Sequence, residues 1–199
     1  MKTVSEQSRS LPVIADVDVA VIGGGMAGFA AAATAARTGA KTILLERFGY
    51  CGGLATGGLV NIYLVMDDGR GRNIIAGISR EILERLKKLD ALWTAPIWRG
   101  RRKVSERDGR RNHPLFDPEA MKLVADRILA QSGARVLYHT LAGEPIVSRG
   151  RIRALPVETK AGRQAVVAKA FVDATGDADI AAEADPPCFK SRRQTMAAW

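Results

Sequence analysis

Gly23, Gly25 and Gly28, in the stretch Val19–Gly28 "VAVIGGGMAG", have the types and spacing for one kind of chemistry: bringing bare backbone against a pyrophosphate. In such a turn one glycine makes the bend, a second lets the chain approach phosphate oxygens with no Cβ in the way, and a third lets the following helix lie close to its strand. The helix N-terminus then offers N–H groups and a positive partial charge to the anion. The pattern also needs a carboxylate at the end of the next strand to accept ribose hydroxyls, and Glu46 stands 18 residues after Gly28. The alternative is the same turn used for packing only, with no nucleotide.

The flanking elements fit that use. Asp18–Ile22, "DVAVI", is nearly all apolar, as a strand buried on both faces of a parallel sheet should be. Met26–Thr38 is alanine-rich, which predicts a helix that can lie close to a sheet, with Gly39 as its C-terminal cap. Lys41–Glu46, "KTILLE", is a second strand, and the three together make a β-α-β unit. Further on, Ile75, Ile78, Ile82, Leu86 and Leu89 recur at helical steps, with Glu81–Arg85 and Glu84–Lys88 at i,i+4. "FDPEAMKLVADRILAQSG" is a helix capped by Asp117, with Pro118 first inside and Gly133 at its end. "RVLYHT" is a strand, and the following residues alternate short β segments with turns at Arg149-Gly150 and Ala161-Gly162, an antiparallel meander. "KAFVDATGDAD" is then another strand running into a glycine turn.

The composition sets bounds. The chain has 199 residues, 47% hydrophobic and 26% charged, as in an ordinary globular protein. Its two cysteines, Cys51 and Cys188, are too far apart in sequence for a disulfide framework or a zinc spacing, so a reducing cytosol is the expectation and no metal site is. Val19–Ala36 is uncharged over 18 residues, but four of these are glycine and Asp16, Asp18 and Arg37 flank them, which disfavours a membrane span. The net charge is +9, and Arg99–Arg111, "RGRRKVSERDGRR", contributes seven basic and two acidic residues to it. With no aromatic residue between those charges, a solvated loop explains them better than nucleic acid does; attraction of an anionic substrate is a third reading.

"DVDVAVIGGGMAGFAAAATAARTGAKTILLER" resembles the N-terminal flavin-binding segment of FAD-dependent oxidoreductases with the glutathione-reductase-like fold. "GGLAT…GLV", "FDPEAMKLVADRIL" and "FVDATGDADIAA" are similar to a bacterial subgroup of that family, so the likeness covers about Asp16 to Asp185. It implies an α/β fold: a Rossmann-like parallel sheet with an antiparallel β-meander and a helical insertion. The expected organisation is a flexible tail over 1–15, an FAD-binding domain over 16–185 and an irregular tail over 186–199. Within the domain, a helical and basic insertion falls at about 60–116 and the meander at about 144–170.

By the same resemblance FAD is the cofactor. Its pyrophosphate would lie against Gly23, Gly25, Met26, Ala27 and Gly28, with Ile22 at the strand end beside them. Glu46 would bind the adenosine ribose, with Arg47 next to it. Gly52, Gly53, Ala55 and Thr56 would form a second glycine turn near the pyrophosphate and the flavin end. Ala174, Thr175 and Gly176, extended by Asp177, match the family's "ATG" turn. The meander and the second glycine turn count against a plain NAD-dependent dehydrogenase.

No residue pattern names a catalytic acid or base. Cys51 lacks a nearby partner for disulfide redox work and is expected to be a small packed residue. His113 and His139 stand in no metal or triad constellation. Tyr63, Asp67 and Asp68 could approach a substrate, although loop polarity explains them equally well; Asp177 and Asp179 could cap the next helix. Family members are longer than this chain, which implies an N-terminal portion. The expected partners are a small-molecule redox substrate and a second chain or C-terminal half; nucleic acid and membrane are not expected. A catalytically silent nucleotide-binding module is the alternative function.

Overall fold

The computed structural model describes residues 2–4, 8–63, 66, 68, 72–94 and 114–184. The basic stretch Arg99–Arg111, Asp67, His113, Cys188 and the segment 186–199 lie outside the described residues. In chain order the elements are β1 (Val13–Ile22), α1 (Met26–Arg37), β2 (Thr42–Leu45), a 3₁₀ turn (Gly53–Ala55), α2 (Ile78–Lys88), β3 (Leu92–Thr94) and β4 (Pro114–Phe116). They continue with α3 (Pro118–Ser132), β5 (Arg135–Leu137), β6 (Leu141–Ala142), β7 (Ile146–Ser148), β8 (Arg151–Thr159), β9 (Gly162–Asp173) and α4 (Asp179–Glu183).

Seven strands form one sheet in the order β5-β2-β1-β9-β8-β6, with β7 also on β8. β5, β2, β1 and β9 run parallel, while β6, β7 and β9 pair antiparallel with β8. Both faces of the end of β1 (Ala20–Ile22) and of β2 are covered, which is why these stretches are continuous apolar runs rather than alternating ones. Val21 and Leu44 face a cluster with Phe29, Ala32 and Ala33 of α1, Ile82 and Leu86 of α2, and Val124 and Ile128 of α3. Ala20, Ile22, Ile43 and Leu45 face the opposite cluster, closed by Leu155, Val157, Val166 and Ile180.

The sheet extends past the sequence-based boundaries. β1 starts at Val13, so the end of the expected tail is strand, because Val13–Asp16 pair with Ala165–Val167 of β9. The last meander strand and the strand before the "ATG" turn are one 12-residue strand, β9, which pairs with β8 on one side and β1 on the other. Arg149 and Gly150 both adopt positive φ (52° and 69°) between Ser148 and Arg151, the backbone a two-residue hairpin turn requires.

Helix ends follow local chemistry. The Asp117 carboxylate accepts from the N–H groups of Glu119 (2.8 Å) and Ala120 (3.4 Å), and Gly133 closes α3 in the left-handed conformation. In α2 the Glu81–Arg85 pair is present at 2.7 Å, but Glu84 pairs with Arg80 (2.9 Å) rather than Lys88. Glu81 also takes a two-pronged contact from Arg37 (2.8 and 2.9 Å), joining α1 to α2. Among the described residues no helix is long and apolar enough to cross a membrane.

Candidate functional site: three turns at the carboxyl ends of the parallel strands

The turns after β1, β2 and β9 meet at one edge of the sheet, the carboxyl end of its parallel strands, where open α/β sheets bind ligands. The Gly23 N–H donates to the Leu45 carbonyl (2.8 Å), the Ala174 N–H to the Ile22 carbonyl (2.8 Å) and the Gly52 N–H to the Gly24 carbonyl (2.8 Å). Gly25 and Gly52 also form an isolated parallel bridge. Residues 22–28, 52–53 and 174–175, far apart in sequence, are thus one stitched surface.

Each motif glycine has a different reason to lack a side chain. Gly23 has φ +94°, and a Cβ there would lie 2.4 Å from the Ala174 oxygen. At Gly28 a Cβ would lie 1.8 Å from the Gly23 oxygen and 2.9 Å from the Ala174 Cβ, so this glycine allows α1 to sit against its strand. Gly25 is neither strained nor crowded: its φ of −60° and ψ of 178° suit any residue, and no atom of the described residues lies within 4 Å of a Cβ built on it. Nothing among the described residues requires glycine there. Gly25 is the N-cap of α1, and the helix's own first turn holds no acidic residue to occupy its positive end. An uncrowded glycine at this place fits an anion drawn close to the backbone.

Glu46 is buried, with 5% of its surface exposed. One carboxylate oxygen accepts from the Gly24 N–H (2.6 Å) and the other from the Phe48 N–H (2.7 Å). A carboxylate has about four acceptor sites, so each oxygen keeps room for one hydroxyl. Arg47 is exposed and lies over the Phe48 ring at 4.8 Å; Phe48 in turn stacks on Tyr50 at 5.8 Å.

The second glycine turn is held from inside. The Thr56 hydroxyl donates to the Cys51 carbonyl (3.0 Å), and both Ala55 and Thr56 are buried. These two residues shape the turn, while Gly53 abuts the first turn: its Cβ would come within 2.9 Å of the Gly25 Cα. Ile22 is buried in the core and contributes its carbonyl, Met26 is half-buried against the helical cluster, and Ala27 is exposed on the first turn of α1.

In the third turn Gly176 has φ +96° and Asp177 is exposed. Neither Asp177 nor Asp179 caps α4. Its N-cap is Ala178, in the left-handed region, and the orphan N–H groups are satisfied from upstream: Asp179 N–H donates to the Thr175 hydroxyl (3.0 Å) and Ala181 N–H to Asp173 (2.8 Å). Asp173 also accepts from the Thr175 hydroxyl (2.7 Å) and N–H (3.1 Å). Burial raises the Asp173 pKa, but the donors from Ala181, Thr175 and Ile180 outweigh it and hold the carboxyl below the ordinary value of 3.8. A depressed pKa contributes stability above the unfolded-state value and loses it as pH falls through the folded one. Asp173→Asn is therefore expected to melt below wild type at pH 7, with the gap closing as the pH falls below the ordinary carboxylate value; melting curves from neutral to acid pH check it.

Sequence reasoning passed over Gly24, Asp173 and Tyr138. A Cβ on Gly24 would meet Cys51 Sγ at 2.8 Å and Glu46 Oε2 at 2.9 Å, so the middle glycine of "GGG" is as constrained as its neighbours. The run of three glycines was the available signal. Cys51 is fully buried, and burial first, with the nearby Glu46 and Asp126 charges, pushes its thiol up to about 12 despite the contact from Tyr138. It is a packed residue, not a nucleophile. Tyr63 packs on Phe116 (ring centroids 5.5 Å apart) in the helical cluster, and its hydroxyl is buried with no partner among the described residues. The Asp68 N–H donates to the Arg72 carbonyl (3.0 Å) and its carboxylate accepts from the Arg72 N–H (3.1 Å), and the exposed His139 has φ 52° and donates its N–H to the Phe48 carbonyl (3.2 Å).

Residues 18–197 match the FAD dependent oxidoreductase family. The chain belongs to that family. Its cofactor is FAD, and the uncrowded Gly25 with the spare acceptors of Glu46 is consistent with a dinucleotide. No curated protein matches the chain. Among solved structures it is similar to THI4 from Thermovibrio ammonificans (22% identity, 84% of this chain and 61% of that one, TM-score 0.55). It is also similar to a geranylgeranyl bacteriochlorophyll reductase-like protein from Thermoplasma acidophilum (21%, 85% and 42%, TM-score 0.55). A third is the myxobacterial chondrochloren halogenase CndH, described as a variant of FAD-dependent halogenases (16%, 81% and 37%, TM-score 0.52). At these identities the likeness shows the fold, and the chain spans 37% to 61% of these neighbours.

Proposed function

We propose that this FAD dependent oxidoreductase family member holds the ADP part of FAD on the three stitched turns and takes part in redox chemistry on the flavin. The observation that carries the reading is Gly25: an unstrained, uncrowded glycine at the N-cap of a helix with no first-turn acid. In this reading the N–H groups around Gly25, Met26 and Ala27 meet the pyrophosphate, with helix α1 aligned behind them. Glu46, fixed by Gly24 and Phe48, receives the ribose hydroxyls on its remaining acceptor sites. Gly52 and Gly53 line the next part of the cofactor, and the Asp173–Thr175 pair keeps Ala174–Gly176 in place beneath it. The chemistry that FAD supplies when bound is electron or hydride transfer at its flavin ring, with a small-molecule redox substrate as the partner class.

A second reading, in which this chain is one half of a flavoenzyme whose ring end is completed by a second chain or a C-terminal portion, is favoured by one feature. Leu54 (72% exposed), Leu59 (71%) and Val60 (50%) project beside the second glycine turn. Exposed apolar residues gathered on one loop suit a protein or cofactor contact.

Titration of the purified chain with FAD, followed by flavin fluorescence and by melting temperature, tests the proposal. At FAD about 100-fold above Kd the linkage term is about 2.7 kcal/mol, a rise in Tm of roughly 5–10 °C for a chain of this size. A folded chain whose Tm and fluorescence do not respond to FAD would sink the proposal.

A further inference from the structure

Behind the second glycine turn a short polar chain runs outward to helix α3. Cys51 Sγ lies 3.5 Å from the Tyr138 hydroxyl, and that hydroxyl is hydrogen-bonded to the Asp126 carboxylate. A phenol has one hydrogen, and an ionised carboxylate can only accept, so the hydroxyl donates to Asp126. The longer contact, 3.5 Å from the same hydroxyl to Cys51 Sγ, sets the sulfur against the phenol oxygen. The two contacts join the cofactor loop, through Tyr138, to α3.

Cys51 is where several restraints meet. Its sulfur packs against the one face of Gly24 that has no room for a Cβ, and its carbonyl accepts the Thr56 hydroxyl. The next residue, Gly52, donates to the Gly24 carbonyl, and Gly53 abuts Gly25. A shift of Cys51 therefore moves the second turn relative to the first. Tyr138 follows β5 and Asp126 lies on the exposed side of α3, so this anchor comes from elements that carry none of the three turns.

We infer that Tyr138, braced by Asp126, is a positioning residue that fixes the register between the two glycine turns and so sets the affinity for FAD. The inference rests on the FAD-binding reading above. Without the brace the second turn samples other positions, and apparent affinity falls by the fraction of time it spends in the competent one. The fold itself loses little, because the ring of Tyr138 and the core around Cys51 remain.

The test is FAD titration of the full chain carrying Tyr138→Phe, Asp126→Ala, Asp126→Asn or the double change Tyr138→Phe/Asp126→Ala, each with its ligand-free Tm. Loss of one charge-assisted hydrogen bond predicts about a tenfold weaker Kd for Tyr138→Phe and for Asp126→Ala. The double variant is expected to be no weaker than either single one, Asp126→Asn to recover most of the affinity, and ligand-free Tm values to stay within roughly 3 °C of wild type. Wild-type affinity in Tyr138→Phe overturns the inference while leaving the FAD-binding reading intact, as does additivity of the two changes. Absence of FAD binding by the wild-type chain overturns both. Asp126 is exposed, so its variants keep the test open if Tyr138→Phe fails to fold.

Discussion

Gly25→Ala is expected to weaken FAD binding by roughly 100-fold while leaving the ligand-free chain as stable as wild type or slightly more so. The two effects have separate causes. A methyl group at Gly25 meets no atom of the described residues within 4 Å and sits at φ −60°, ψ 178°, a conformation alanine adopts freely. Removing glycine from such a site lowers the entropy of the unfolded chain, which stabilises the folded one by about 0.4–1 kcal/mol. The same methyl group stands where the pyrophosphate must approach the helix N-terminus. Pushing the phosphates away loses two charge-assisted hydrogen bonds, about 3 kcal/mol, or roughly two orders of magnitude in Kd. Calorimetric titration and thermal melts of the same preparation check both halves. A loss of affinity accompanied by a comparable fall in ligand-free stability would show that Gly25 serves packing.

Gly28→Ala is expected to do the opposite: to damage the fold first and binding as a consequence. Its Cβ would lie 1.8 Å from the Gly23 carbonyl oxygen and 2.9 Å from the Ala174 Cβ. The first of these is a backbone atom inside the β1–α1 turn, so relief requires α1 to move off the sheet. Phe29, Ala32 and Ala33, all fully buried on that helix, would move with it. Overpacking of this kind costs about 3 kcal/mol, which lowers Tm by roughly 6–12 °C in a chain of this length. Melting curves without ligand measure it. Two glycines three residues apart in one motif thus carry opposite signs in stability, a pattern that a motif match alone does not contain.

Much of this architecture could be read from residues in order. The β1–α1–β2 unit, the Asp117 cap with Pro118 behind it, and the hairpin at Arg149-Gly150 all depend on neighbours in sequence, and each is present. The features that escaped depend on distant partners. Val13–Asp16 become strand because β9 runs alongside them, some 150 residues later in the chain. Asp173 rather than Asp177 steadies the start of α4, because the chain turns back at Gly176 and brings Ala181 over the end of β9. Gly24 is constrained by Cys51 and Glu46, and Cys51 by Tyr138, contacts between segments that periodicity and propensity treat separately. Glu46 could be named as a carboxylate at the end of β2, but not that two backbone N–H groups hold it before any ligand does.

The fold makes the three turns one surface, and the central claim is that this surface grips the ADP end of FAD. Competition separates the two ends of the cofactor. With FAD bound at a concentration near its Kd, ADP is expected to displace it with a competitive dependence, while FMN at the same concentration leaves it bound. Displacement by FMN with no effect of ADP would contradict the account, because it would place the binding energy at the flavin ring rather than at Gly25 and Glu46.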